Sequence, residues 1–211
     1  AELCKGQQSV VYSLTSAPNP GSTYTWTVVG GTVVGPSAGN FTSVTINWGT
    51  STVIQPSVTV TEVNSGGCSG TDVSVNVFLR DLPVMNSPTT ATVCSGEAVS
   101  SALNFTALVG GAPPASAVTF NWEAVNVPAN VTGIVAGQTG TGNINAILNN
   151  ISGVAGIVTF EVTPVENDVP NPPNCEGATQ TVFITVNPEP VITTGQTNTI
   201  CSVDAVNYKI L

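Results

Sequence analysis

Residues 23–34 read TYTWTVVGGTVV, and this stretch decides the fold. Tyr24, Trp26 and Val28 alternate with Thr25 and Thr27, a period of two and not of 3.6. Gly30-Gly31 stops the run and Thr32-Val33-Val34 begins another. A strand with one apolar and one hydroxyl face lies on a sheet covered on one side only. Trp26 is on the covered side, where it plugs a core.

The same alternation recurs outward in both directions. Val44, Ile46 and Trp48 alternate with Thr45 and Asn47; Val58 and Val60 with Thr59 and Thr61; and Val73, Val75, Val77 and Leu79 continue the pattern. Later come Phe120, Trp122 and Ala124, then Val158, Phe160 and Val162, then Val182, Ile184 and Val186. Breakers separate these runs, among them APNPGS, GPSAGN, NSGG, GGAPPAS and NDVPNPPN. NINAILNNISG, at 143–153, alternates as a strand better than it wraps as a helix. Six or seven short strands per unit, with Trp26 and Trp122 in matching places, predict an all-β chain of tandem immunoglobulin-like sandwiches.

Composition agrees with that reading. The 211 residues suffice for two ordinary domains, and only 7% are charged against about 25% in a typical globular protein. Hydrophobic content of 41% argues against disorder. Twelve acidic residues face only Lys5, Arg80 and Lys209, giving a net charge of −9. A phosphate backbone requires clustered cations, so nucleic acid is not an expected partner, and anionic lipid fails likewise. No apolar run is long enough for a membrane-spanning helix, so membrane insertion is not expected. No signal peptide is visible at Ala1-Glu2-Leu3-Cys4, as expected of a mature or excised piece of a secreted protein.

The cysteines reveal a repeat. Cys68 precedes Pro83 by fifteen residues, as Cys175 precedes Pro190; Pro83 precedes Cys94 by eleven, as Pro190 precedes Cys201. Leu3-Cys4-Lys5-Gly6, Val93-Cys94-Ser95-Gly96 and Ile200-Cys201-Ser202-Val203 are three openings; Cys68 and Cys175 are two closings. One opening and one closing per unit predict disulfides Cys4–Cys68 and Cys94–Cys175. Cys201 is then left unpaired, as the start of a third unit. The expected domains are 1–82 (truncated at its N-terminus), 83–189 (with longer loops) and the first strands of an incomplete third, 190–211. Each bond would stabilise its unit by about 4 kcal/mol and places the chain in an oxidising, extracytoplasmic compartment. Zinc is disfavoured because no two cysteines are close and histidine is absent.

The order C-x-G, YTWTV-x-GG, SVTINWG, VTVTE…GGC-x-G and VNV resembles the PKD-like immunoglobulin-type repeat of large Bacteroidetes surface proteins, the SprB-like gliding-motility adhesins. The likeness is close over 1–82 and looser over 83–189. It implies export by the type IX secretion system, display outside the outer membrane, and contact with neighbouring repeats and with secretion and surface-anchoring machinery. It brings no catalytic motif.

Residue types bound the chemistry. Without histidine, Ser-His, Cys-His and His-metal devices are unavailable to the chain. Glu62, Asp72, Asp81, Glu123 and Glu161 are scattered singly, as solvated carboxylates are, and do not form a glycosidase pair. Gly137-Gln138-Thr139-Gly140-Thr141-Gly142 lacks the lysine and helix of a phosphate cradle. Calcium is the one ion to consider, at Asp81, Glu97, Glu189 and Asp204 near the joints or at Glu166 and Asp168, although no D-x-D-x-D spacing occurs. Otherwise no cofactor and no catalytic residue is expected. Trp48, at a strand end before Gly49, is the tryptophan expected to be partly exposed.

The leading expectation is a non-enzymatic stalk of an adhesin, with Pro-containing joints (RDLPVMNSP and NPEPVITTG) limiting bending. The alternatives are a recognition module whose loops VGGAPPAS and NDVPNPPN bind a surface glycan or protein, and a spacer in a secreted hydrolase.

Overall fold

The computed structural model describes residues 2–50, 55–114, 117–167 and 174–190. Cys201, Asp168 and Asp204 lie outside them, as do residues 191–211 of the expected third unit.

The first sandwich is built from β1 (Glu2–Cys4), β2 (Val10–Ser13), β3 (Thr23–Val29), β4 (Gly31–Val34), β5 (Ala38–Gly39), β6 (Ser43–Trp48), β7 (Ser57–Val63), β8 (Val73–Asn76) and β9 (Phe78–Arg80). One sheet runs β5-β3-β7-β8 and the other β2-β6-β4; β1 lies parallel to β9. β8 and β9 are one course interrupted at Val77, whose N–H donates to the Pro56 carbonyl.

The second sandwich begins with β10 (Pro83–Met85), β11 (Thr90–Cys94), β12 (Glu97–Ala98), a 3-10 turn at Val99–Ser101, β13 (Ala107–Val109) and β14 (Ala117–Asn126). It continues with β15 (Val131–Thr132), β16 (Thr139–Thr141), β17 (Ile147–Asn150), β18 (Gly156–Asn167), β19 (Cys175–Glu176) and β20 (Gln180–Asn187). Its larger sheet runs β11-β20-β18-β14-β16 and its smaller β12-β17-β15, while β10 pairs with β13. Strand for strand this is the plan of the first: β14 answers β3, β18 answers β7, β20 answers β8 with β9, and β11 answers β1.

Register makes the correspondence exact to the residue. Trp26 pairs with Val60 as Trp122 pairs with Val162. Trp26 is buried and Trp122 half-buried, its ring edge-on to Phe160 at 5.9 Å. Each sandwich has its own core: Tyr24, Trp26, Ile46, Trp48 and Val58 in the first; Phe120, Leu148, Phe160, Val182 and Ile184 in the second.

The glycine pair that ends the opening stretch has two separate tasks. Gly30 takes φ +83°, a left-handed turn that side chains resist. Gly31 pairs with Trp48, and a Cβ there would lie 2.9 Å from the indole. Trp48 is therefore fully buried, contrary to the expectation of partial exposure: the alternation of Val44 and Ile46 carries through to the strand end, and Gly31 leaves the slot that the indole fills. The run from Val73 also departs from expectation. Val77 and Leu79 are buried, but Val73 and Val75 face solvent.

Candidate functional site: the joint between the sandwiches

Two parallel pairings place the opening cysteines. Because β1 runs parallel to β9, Cys4 stands beside Arg80, where the first sandwich ends. Cys68 lies in the turn between β7 and β8, at the start of the course that finishes at Arg80. Eight strand residues at about 3.3 Å each put these cysteines roughly 25 Å apart, at opposite poles. The second sandwich repeats this: Cys94 faces Asn187 at the end of β20, and Cys175 sits on the hairpin that begins it.

The expected bonds Cys4–Cys68 and Cys94–Cys175 are therefore not those formed. A single disulfide among the described residues joins Cys4 to Cys175, with Cα atoms 5.5 Å apart, and it links the two sandwiches instead of closing each one. Cys68 and Cys94 are free and exposed. Spacing identified equivalent cysteines correctly; what it does not carry is the pole at which each stands.

Charges reinforce the bridge. The Arg80 guanidinium lies 2.8 Å from Glu166 Oε1, with side chains only 11% and 5% exposed. Lys5 Nζ pairs with Asp81 at 2.5 Å, and the Lys5 N–H donates to the Arg80 carbonyl. Two of the three cations in the chain thus stand at this joint, which is the sequence signal that could have found it. Beside the bridge, within the second sandwich, Gly177 lies so near Pro83 that a Cβ would meet the Pro83 carbonyl oxygen. Closing a loop of this length is worth about 5 kcal/mol in the chain-entropy model. Removing one member of a buried ion pair costs about 3–5 kcal/mol.

Three of the carboxylates considered for calcium are engaged elsewhere, and Glu189 is exposed. Asp81 holds Lys5, Glu166 holds Arg80, and Glu97 accepts the Cys94 N–H at 3.0 Å. Among the described residues no group of three or more Asp, Glu, Cys or His could hold a metal ion. Glu123 and Glu161 are paired across β14 and β18, on the outward face.

A groove of about 360 Å³ opens on the first sandwich, lined by Tyr12, Leu14, Tyr24, Trp26 and Val75 with Glu62 at its rim. The Trp26 indole N–H donates to the Phe41 carbonyl at 3.1 Å. Ser22, then Asn19, hold the Glu62 carboxyl below its ordinary pKa.

A pair of immunoglobulin-like sandwiches joined end to end is the class that this architecture defines. More narrowly, family models described as PKD-like domain match residues 1–77 and 91–190, so the chain carries two PKD-like domains. Domains of this kind are typically non-catalytic. No curated protein matches the chain. Among solved structures, the human protocadherin-24 EC1-2 fragment is similar at 11% identity and TM-score 0.38, covering 90% of this chain and 95% of that one. The fibronectin(III)-like modules of Clostridium thermocellum CbhA are similar at 13% identity and TM-score 0.38, covering 89% of each chain. The I67-I69 fragment of the titin I-band is similar at 11% identity and TM-score 0.38, covering 89% of this chain and 62% of that one. No helix among the described residues is long and apolar enough to cross a membrane.

Proposed function

We propose that the chain is a non-enzymatic, tension-transmitting segment of a large secreted adhesin. The observation that carries this reading is the covalent and ionic lock between domains, Cys4–Cys175 with Arg80–Glu166. A stapled joint suits a stalk, because an unstapled joint is where it would bend or part under load. The disulfide fits an oxidising extracytoplasmic setting. The resemblance to Bacteroidetes adhesins supports type IX export, a place on the outer face of the cell, and a role in gliding or attachment. The domains we assign are 1–82 and 83–189, with 190–211 opening a third.

Single-molecule stretching from the two ends tests the mechanical reading. Residues between Cys4 and Cys175 should stay unextended in the oxidised chain, and reductant should release on the order of 600 Å of contour. Equal extension with and without reductant would sink it.

The groove beside Tyr24 and Trp26 favours a second reading, a recognition domain binding a surface glycan or an extended peptide. The loops first considered for this role, 109–116 and 167–174, lie partly outside the described residues. A glycan array answers the sugar case: binding lost in Val73→Glu or Val75→Glu, both solvent-facing residues of the groove, would favour it, and a blank array would remove it.

A further inference from the structure

Cys94 and Cys4 occupy one structural position in two domains. Cys4 stands beside Arg80 across a parallel pair and Cys94 beside Asn187. In each the next residue donates its N–H to that partner's carbonyl at 2.9 Å: Lys5 to Arg80, Ser95 to Asn187. In each the glycine two residues on has positive φ, +80° and +86°, and donates across the smaller sheet, Gly6 to Gly49 and Gly96 to Leu148. Each cysteine N–H is also held by the side chain three residues on, Gln7 or Glu97.

Cys68 and Cys175 match as closely. Ser69 bridges Val63 as Glu176 pairs with Val165. Gly70 donates to the Glu62 carbonyl at 2.7 Å as Gly177 donates to that of Pro164 at 2.8 Å. Two of the four positions are bonded to one another across a joint, and the other two present exposed thiols at the two outer poles. The outer poles also match in charge. Asn187 stands where Arg80 stands at the occupied joint, and Asn64 where Glu166 does, so the positions of the ion pair are uncharged at both outer faces.

We infer that the staple is staggered: the opening cysteine of each PKD-like domain bonds the closing cysteine of the domain that follows it. Cys94 is the opening half of the next staple, and its partner is the closing C-x-G cysteine of the domain whose opening motif contains Cys201. Cys68 is the closing half of the preceding staple. This rests on the array reading for the source of the partner, and on the Cys4–Cys175 geometry for the bond. Forming it breaks two Sγ–H bonds and makes one Sγ–Sγ bond. Two electrons and two protons pass to a disulfide oxidant, such as oxidised glutathione, whose own S–S bond breaks so that it leaves as two thiols.

Peptide mapping of the secreted full-length polypeptide, alkylated before any reduction, tests this. The expected map joins Cys4 to Cys175 and Cys94 to a closing C-x-G peptide of the next domain, with no alkylated Cys94. Alkylated Cys94, or a bond from Cys94 to Cys68 or to Cys175, overturns it. A second arm uses Cys94→Ser: one new alkylated cysteine is expected, rising from near zero to full occupancy at the next domain's closing position. A new free thiol anywhere else overturns the stagger. If cells lose no attachment when the array is deleted but the map holds, the adhesin reading fails and the staple stands.

Discussion

Val75 and Val182 occupy the same place in two domains of one plan, each on the strand that follows β7 or β18, paired with Val58 and Phe160 respectively. Val75 is 44% exposed and Val182 is 0% exposed. In the second domain β10 packs beside β18 and Met85 seats against the core, while Leu103 and Phe105 fill it from the 3-10 turn and loop between β12 and β13. In the first domain Val75 lines the groove beside Tyr24 and Trp26. An alternating pattern alone thus does not secure burial.

Breaking the joint should separate the two domains most. Cys4→Ser removes about 5 kcal/mol of chain-entropy stabilisation. Calorimetry should then resolve two transitions, the first domain melting at the lower temperature, where the oxidised chain shows closer coupling. Arg80→Ala leaves Glu166 buried without its partner and should cost about 3–5 kcal/mol, read by denaturant titration of the oxidised chain.

Within the domains, Phe160→Ala should cost about 3–5 kcal/mol. Its counterpart Val58→Ala should cost about 2 kcal/mol, because less volume is removed from a smaller core. Val182→Ala should also cost about 2 kcal/mol, whereas Val75→Ala should stay within about 0.5 kcal/mol. Equal losses at Val75 and Val182 would mean that both cores are equally closed.

The smallest effect concerns Glu62. Its pKa is held below the ordinary value, so the stabilisation is present above the unfolded-state value and is lost as pH falls through the folded one. Glu62→Gln should lower the first domain's stability slightly at neutral pH and flatten its acid limb, so that variant and parent converge once the pH falls well below about 4.5.

Much of this architecture was legible in the residues. Alternation marked β3, β6, β7, β14, β18 and β20, and two recurring spacings marked a repeat. The joint was not legible, because which pole a cysteine occupies depends on β1 and β11 running parallel to the last strands of their domains. Short strands such as Glu2–Cys4 carry no signal of direction. Gly49 beside Trp48 points to an exposed strand end, whereas Gly31, across the sheet, decides its place. Arg80 and Glu166 are eighty-six residues apart, and nothing local announces their meeting.

The bridge between Cys4 and Cys175 turns most of the backbone into a closed ring. A protease that cuts one exposed loop inside that ring, at Gly110-Gly111 for example, opens it without producing two pieces. Were every domain fastened to its successor, the rings would overlap like chain mail, and a filament exposed to extracellular proteases would survive any single cut within them.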